Sequence, residues 1–141
     1  MADFVIRVVG PADAHLFERI APDVFDGPVV PERLAAYLAR PDHIMVLALE
    51  GNQVIGQVAA VIHHHPDMPD ELYIDNLGVT PGRQRRGIGR RLMETVFAVG
   101  LQRGCEEAWV ATETDNGPAR ALYRSLEPVE DESVAFYQYE L

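Results

Sequence analysis

Leu72-Tyr73-Ile74-Asp75-Asn76-Leu77-Gly78-Val79 is followed by Thr80-Pro81-Gly82-Arg83-Gln84-Arg85-Arg86-Gly87-Ile88-Gly89-Arg90-Arg91. Leu72, Tyr73, Ile74, Leu77 and Val79 carry the bulk of a buried strand, and Pro81-Gly82 stops it, because proline lacks the ladder donor and glycine accepts positive φ. From Ile88 the apolar residues adopt helical spacing, Ile88, Leu92, Val96 and Gly100 on one row and Met93, Phe97 and Leu101 on the next. Between strand and helix lies Gln84-x-x-Gly87-x-Gly89. Glycines there let an anion approach the main chain, where the N–H groups of a helix start and the positive end of its dipole await it. A phosphate suits this place.

A dinucleotide-binding turn is the rival reading. It requires a third glycine where Leu92 stands, and its glycines crowd the strand end, whereas seven residues lie between Val79 and Gly87 here. Glu107, near the distance expected of a ribose-binding acid, opens a strand instead of ending one.

The chain of 141 residues has the length of one domain with its own core, and its 48% apolar content and interspersed charges describe a globular protein. No apolar run is long enough for a membrane span and the N-terminus has no signal-peptide pattern, so the expected compartment is the cytoplasm. Cys105 is the single cysteine, which fits a reducing compartment and reads as a small buried hydrophobe. All 12 basic residues are arginines, and five of them fall between Arg83 and Arg91, against 22 acids and a net charge of −10. Nucleic acid is therefore an unsuitable partner, and surplus acid can draw a cationic substrate or simply maintain solubility.

Elsewhere the pattern predicts an opening strand over Asp3–Val9 and a short amphipathic helix from Pro11 to Ile20. The loop Asp23-Val24-Phe25-Asp26 follows, then a helix over Pro31–Arg40 with Leu34 and Leu38 inward. Strands His43–Glu50 and Gln53–Ile62 flank a Gly51-Asn52 hairpin turn. Gly104 ends the long helix, and Glu107–Thr112 is a strand parallel to the Leu72 strand. Asn116 caps a helix over Gly117–Ser125 with Ala121 and Leu122 inward, and Val134–Glu140 alternates as a closing strand. His63-His64-His65 invites a metal reading, but in an extended chain His63 and His65 point one way and His64 the other, so no local three-ligand face forms and no metal is expected.

Gln84-x-x-Gly87-x-Gly89 together with Asn116-x-x-Ala119-x-x-Leu122-Tyr123 resembles the paired acetyl-CoA signature of the GNAT superfamily of N-acetyltransferases. That resemblance implies an α/β (α+β) fold: a mixed, largely antiparallel twisted sheet with a parallel, splayed central strand pair and helices on both faces, in one domain over residues 1–141. Within the superfamily, Glu71–Val79 is most similar to aminoglycoside N-acetyltransferases that modify the 3-amino group. Two departures stand out. Asn76 replaces their aspartate, and Glu127-Pro128 replaces the usual Gly-Phe after the last helix.

The resemblance implies acetyl-CoA as co-substrate, a small cationic amine as acceptor, and antibiotic-resistance-type activity, with a homodimer compatible with it. Acetyl-CoA binding falls to Leu77, Gly78 and Val79, to Gln84, Arg85, Arg86, Gly87, Ile88, Gly89 and Arg90, and to Asn116 and Tyr123. Tyr123 is the implied general acid, or else a core tyrosine. Glu71, Tyr73 and Asp75 alternate onto one strand face, which makes Asp75, then Glu71, the candidate base, unless bulk water removes the proton and the acids only attract the ammonium group. Asp23, Asp26, Tyr73 and Asp75 are the candidate acceptor contacts. The alternatives are a protein N-terminal or lysine acetyltransferase and a non-catalytic acetyl-CoA sensor.

Overall fold

In the computed structural model, which describes residues 3–141, five strands form one open sheet in the order β1-β2-β3-β4-β5. β1 (Val5–Val8), β2 (His43–Glu50), β3 (Gln53–His63) and β4 (Glu71–Val79) are successive antiparallel neighbours, and β5 (Glu107–Val110) lies parallel to β4. β2 and β3 are buried along nearly their whole length, as their continuous Val, Ile, Leu and Ala runs require of a sheet covered on both sides.

Contacts of β3 and β4 show how the faces divide. Ile88 and Leu92 of α2 (Ile88–Gln102) press on Gly56, and Leu72 lies against Gly100 of the same helix, so α2 covers one face. On the other, Gly78 abuts the backbone of Val24. α1 (Pro31–Ala39) contributes the buried Leu38, and its Tyr37 hydroxyl donates to the Ile44 carbonyl at 3.0 Å. The stop of α2 is set by Gly104 at φ +93: the Cys105 N–H reaches the Gly100 carbonyl and the Gly104 N–H the Leu101 carbonyl, the paired bonds of a left-handed glycine cap. Cys105 is buried, and burial pushes its thiol pKa up, as befits a small hydrophobe.

The short helix expected from Pro11 to Ile20 forms over Pro11–Glu18 and is of the 3-10 type. Its first turn is tightened by Asp13, whose N–H bonds to the Gly10 carbonyl while its carboxylate accepts from the Gly10 N–H at 2.8 Å and pairs with Arg7 at 2.6 Å. Arg7 and that acid hold this turn to β1.

The residues separate into two compact units, one ending at Ala111 and the other running Thr112–Leu141. The second contains α3 (Gly117–Ser125), which starts where expected but leaves Ala121 exposed. No closing strand forms over Val134–Glu140. Phe136 and Tyr137 are adjacent and both exposed, which breaks a two-sided alternation, and the segment pairs with no strand among the described residues. An Arg124–Asp131 ion pair of 2.8 Å joins the segment after α3 to that helix, alongside the Glu127 N–H to Arg124 carbonyl bond at 3.1 Å.

Candidate active site

The ladder between β3 and β4 breaks at one place. Ala60 pairs with Ile74 and Ala59 with Asn76, so Asp75 is an extra residue, a bulge in the middle of β4. Pairing with β5 ends at Ile74 opposite Val110, while β4 runs on to Val79. From Asp75 onward the β5 side of β4 therefore presents main-chain N–H and C=O groups, those of Leu77 and Val79 among them, with no strand partner among the described residues. Such groups can hold an extended amide-bearing ligand and polarise a carbonyl.

The bulge also collects side chains. Gln57 is fully buried; its Nε2 donates to the Val24 carbonyl at 3.2 Å and to Asn76 Oδ1, and the Asn76 amide in turn approaches Asp26 at 3.5 Å. Through this chain of contacts a core glutamine seats the Asp23–Asp26 loop against β4. Asp23 is held at φ +63 and is exposed beside Gly78, whereas Asp26 is carried to Asn76. The Asp75 carboxyl is open on one side, yet partial burial raises its pKa above the ordinary value, opposed by its own backbone hydrogen bond and by His43. Burial also raises the pKa of Tyr37, and the neighbouring Asp75 charge adds to the shift. Tyr73 stacks on Trp109 across the parallel pair at 4.2 Å between ring centres, and Glu71 accepts a 2.6 Å contact from His65.

The glycine segment forms a tight left-handed turn between β4 and α2. Arg85 at φ +64 and Gly87 at φ +78 lie in the left-handed region on either side of Arg86, a local shape that turns successive N–H groups to one side. The helical ladder opens with Arg91 N–H to the Gly87 carbonyl at 3.1 Å, so the main-chain donors of Ile88 and Gly89 precede it. Ile88 is buried on Gly56 and anchors the turn, while Gln84 Nε2 donates to the Val79 carbonyl at 3.3 Å and fixes the cradle to the end of β4. Arg83 makes a forked pair with Glu50 at 2.6 and 2.9 Å, and Arg86 reaches the same carboxylate at 3.5 Å. Arg90 pairs with Glu94 at 3.8 Å. The left-handed turn, exposed donors and arginine setting fit a pyrophosphate.

In the second unit Asn116 caps α3, its Oδ1 accepting from the Ala119 N–H at 3.2 Å and its amide donating to Thr112 at 3.3 Å. Tyr123 is half-buried, and burial raises its hydroxyl pKa, which keeps the proton on oxygen at neutral pH.

Residues 14–127 match the family model described as acetyltransferase (GNAT) family. The chain belongs to the GNAT acetyltransferase family. This GNAT N-acetyltransferase is 33% identical over 117 residues to the N-alpha-acetyltransferase RimI of Mycobacterium tuberculosis (strain ATCC 25618 / H37Rv), covering 82% of the chain and 72% of that protein. It is 30% identical over 91 residues to the N-alpha-acetyltransferase 30 of Homo sapiens, covering 64% of the chain but 25% of that longer protein. Its fold matches an aminoglycoside acetyltransferase, meta-AAC0020, from an uncultured soil metagenomic sample in complex with sisomicin, with TM-score 0.86 at 22% identity over 99% of the chain and 97% of the other. It likewise matches the aminoglycoside N-acetyltransferase AAC(6')-Iy in complex with CoA, with TM-score 0.77 at 20% identity over 98% and 95%. The second of these is a 6'-type protein and not the 3-amino type that the central strand resembles; at such identities the likeness carries the fold, not the position acetylated.

Sequence reasoning passed over Gln57, Tyr37 and Trp109. A glutamine inside the apolar run Val54–Ile62 was the available signal for the first, since a buried amide needs partners. Tyr37 and Trp109 become visible only once α1 and the parallel register are known.

Proposed function

We propose that this GNAT enzyme transfers an acetyl group from acetyl-CoA to the primary amine of a small cationic acceptor, with an aminoglycoside as the specific substrate, acting in the cytoplasm as one catalytic domain over residues 1–141. The carrying observation is the cluster on one side of the sheet beside the β4 bulge: Asp75, Glu71 and Asp26 with the stacked Tyr73 and Trp109. Carboxylates attract an ammonium-rich ligand, and aromatic faces accept its cationic and sugar-like surfaces.

Acetyl-CoA supplies an activated thioester and a thiolate leaving group. The main-chain donors from Arg85 to Arg90 hold its pyrophosphate, and the β5-side edge of Leu77 and Val79 orients the pantetheine arm, with Asn116 as a further polar contact. Asp75 accepts the proton of the acceptor amine at its carboxylate, directly or through water, and its raised pKa makes it a better base than an ordinary aspartate. Glu71 is the second acceptor, restrained by His65. Tyr123 keeps a proton on its phenol oxygen for the departing sulfur.

Acetylation of a protein N-terminus is the second reading, favoured by the similarity to RimI and N-alpha-acetyltransferase 30. Thiol release from acetyl-CoA with aminoglycosides, polyamines and short peptides distinguishes the two. Preference for a neutral peptide would remove the aminoglycoside assignment.

A further inference from the structure

Glu71 has a second set of neighbours that acetyl transfer does not call on. His63 ends β3, Glu71 begins β4, and the two are direct cross-strand partners, the spacing at which side chains on one face meet. His65, two residues beyond His63, turns back to the same side: the His63 and His65 rings lie 4.2 Å apart between centres, and His65 Nε2 is 2.6 Å from Glu71 Oε1. One ligand atom from each of the three lies within 4.8 Å of the others. The third donor comes from across the hairpin, which is why local alternation along the histidine triplet could not reveal it.

We propose that His63, His65 and Glu71 form a divalent transition-metal site, with zinc as the ion that suits it. Two imidazoles and one carboxylate are a donor set that zinc accepts with a fourth position left to water, whereas calcium and magnesium want oxygen donors throughout. Two bonds of about 2.0–2.1 Å at a tetrahedral angle separate their donor atoms by about 3.3 Å. The His65–Glu71 contact must therefore open slightly, and the wider spacing of the set must close, both within reach of side-chain rotation.

The loop is shaped to hold this arrangement. His64 points away and is gripped on both ring nitrogens, Nε2 by Asp42 at 3.2 Å and Nδ1 by Asp70 at 3.0 Å, which keeps its imidazole out of the ligand set. His65 and Glu71 are mostly shielded, their side chains 16% and 22% exposed, while His63 is open to solvent and offers an entry path. A small cavity lined by Met68, Pro69, Asp70, Glu71, Glu106 and Glu107 adjoins the site, and its four carboxylates favour an approaching cation. Occupancy withdraws the Glu71 carboxylate from any role as proton acceptor. That consequence rests on the proposed acetyl-transfer reading; metal binding does not.

Calorimetric titration of the tag-free, full-length chain with zinc chloride, with bound metal counted after desalting, tests the site. One equivalent is expected in the wild type and in His64→Ala, with affinity reduced at least about tenfold in His63→Ala and Glu71→Gln, the size of loss typical for perturbing a metal site. Both substitutions lie at the sheet end, and circular dichroism spectra matching the wild type are the control for their fold. Substoichiometric uptake by the wild type, wild-type affinity in His63→Ala and Glu71→Gln, or loss of binding in His64→Ala would overturn the proposal. If zinc binds as expected but leaves acetyl transfer unaltered, the site stands and Glu71 is not the proton acceptor.

Discussion

Gly78 of β4 lies directly against the main chain of Val24, so close that a Cβ at this position would collide with the Val24 carbonyl oxygen. The same carbonyl accepts from buried Gln57 of β3, so the Asp23–Asp26 loop is seated on two neighbouring strands, the bulged β4 and β3. One glycine thereby sets the distance between the acidic loop and Asp75.

Gly78→Ala is accordingly expected to destabilise the protein by about 1–3 kcal/mol, the usual cost of forcing a carbon into a filled space. Because the displaced atoms belong to the acceptor loop, kcat/KM for the amine should fall as well. Urea denaturation and steady-state kinetics check both; a stability equal to wild type would mean that the loop does not rest on β4.

At Gly87 the constraint is conformational. A Cβ meets nothing there, but φ +78 places an L-residue in the left-handed region, at about 1–2 kcal/mol. Gly87→Ala should lower the melting temperature modestly, and Gly87→Val should in addition remove most of the thermal protection given by acetyl-CoA. Full protection in Gly87→Val would place the pyrophosphate elsewhere.

Asp75 carries a pH signature. Its carboxyl is raised from the ordinary 3.8 chiefly by burial, so the folded chain holds this proton more tightly than the unfolded chain does. Stability therefore declines as pH rises from 3.8 through the raised value, and the penalty persists above it. Asp75→Asn should melt higher than wild type at pH 7, the gap closing below pH 3.8, while its kcat/KM loses the acidic limb. Melting curves and rate profiles across this range provide the check, and parallel wild-type and variant profiles would deny Asp75 the proton.

Tyr123→Phe removes only the phenol oxygen. Turnover should drop by about 10²-fold or more, well beyond any loss of acetyl-CoA affinity, the mark of a group used chiefly in proton transfer. Stopped-flow rates alongside direct binding separate the two effects.

The strand, the turn after it and the long helix were legible in the sequence because local patterns encode them: apolar bulk, Pro81-Gly82, the glycines before Ile88 and the stop at Gly104. Glu71, Tyr73 and Asp75 could be assigned to one strand from alternation alone. The family resemblance implies a bulged central strand, but its placement at Asp75 could not be read, because a bulge is a property of two strands in register, and neither could the His63–His65–Glu71 cluster, which closes across a hairpin. Val134–Glu140 failed in the opposite sense: it has strand composition but finds no partner, and composition without a ladder makes no strand.

Acetyl-CoA thiol release measured across aminoglycosides, polyamines, amino acids and short peptides at two ionic strengths tests the central claim most directly. An acidic cleft selecting a polycation predicts that an aminoglycoside is the best acceptor and that added salt lowers its kcat/KM. A neutral amino acid or peptide as best acceptor, with kcat/KM indifferent to salt, would contradict it.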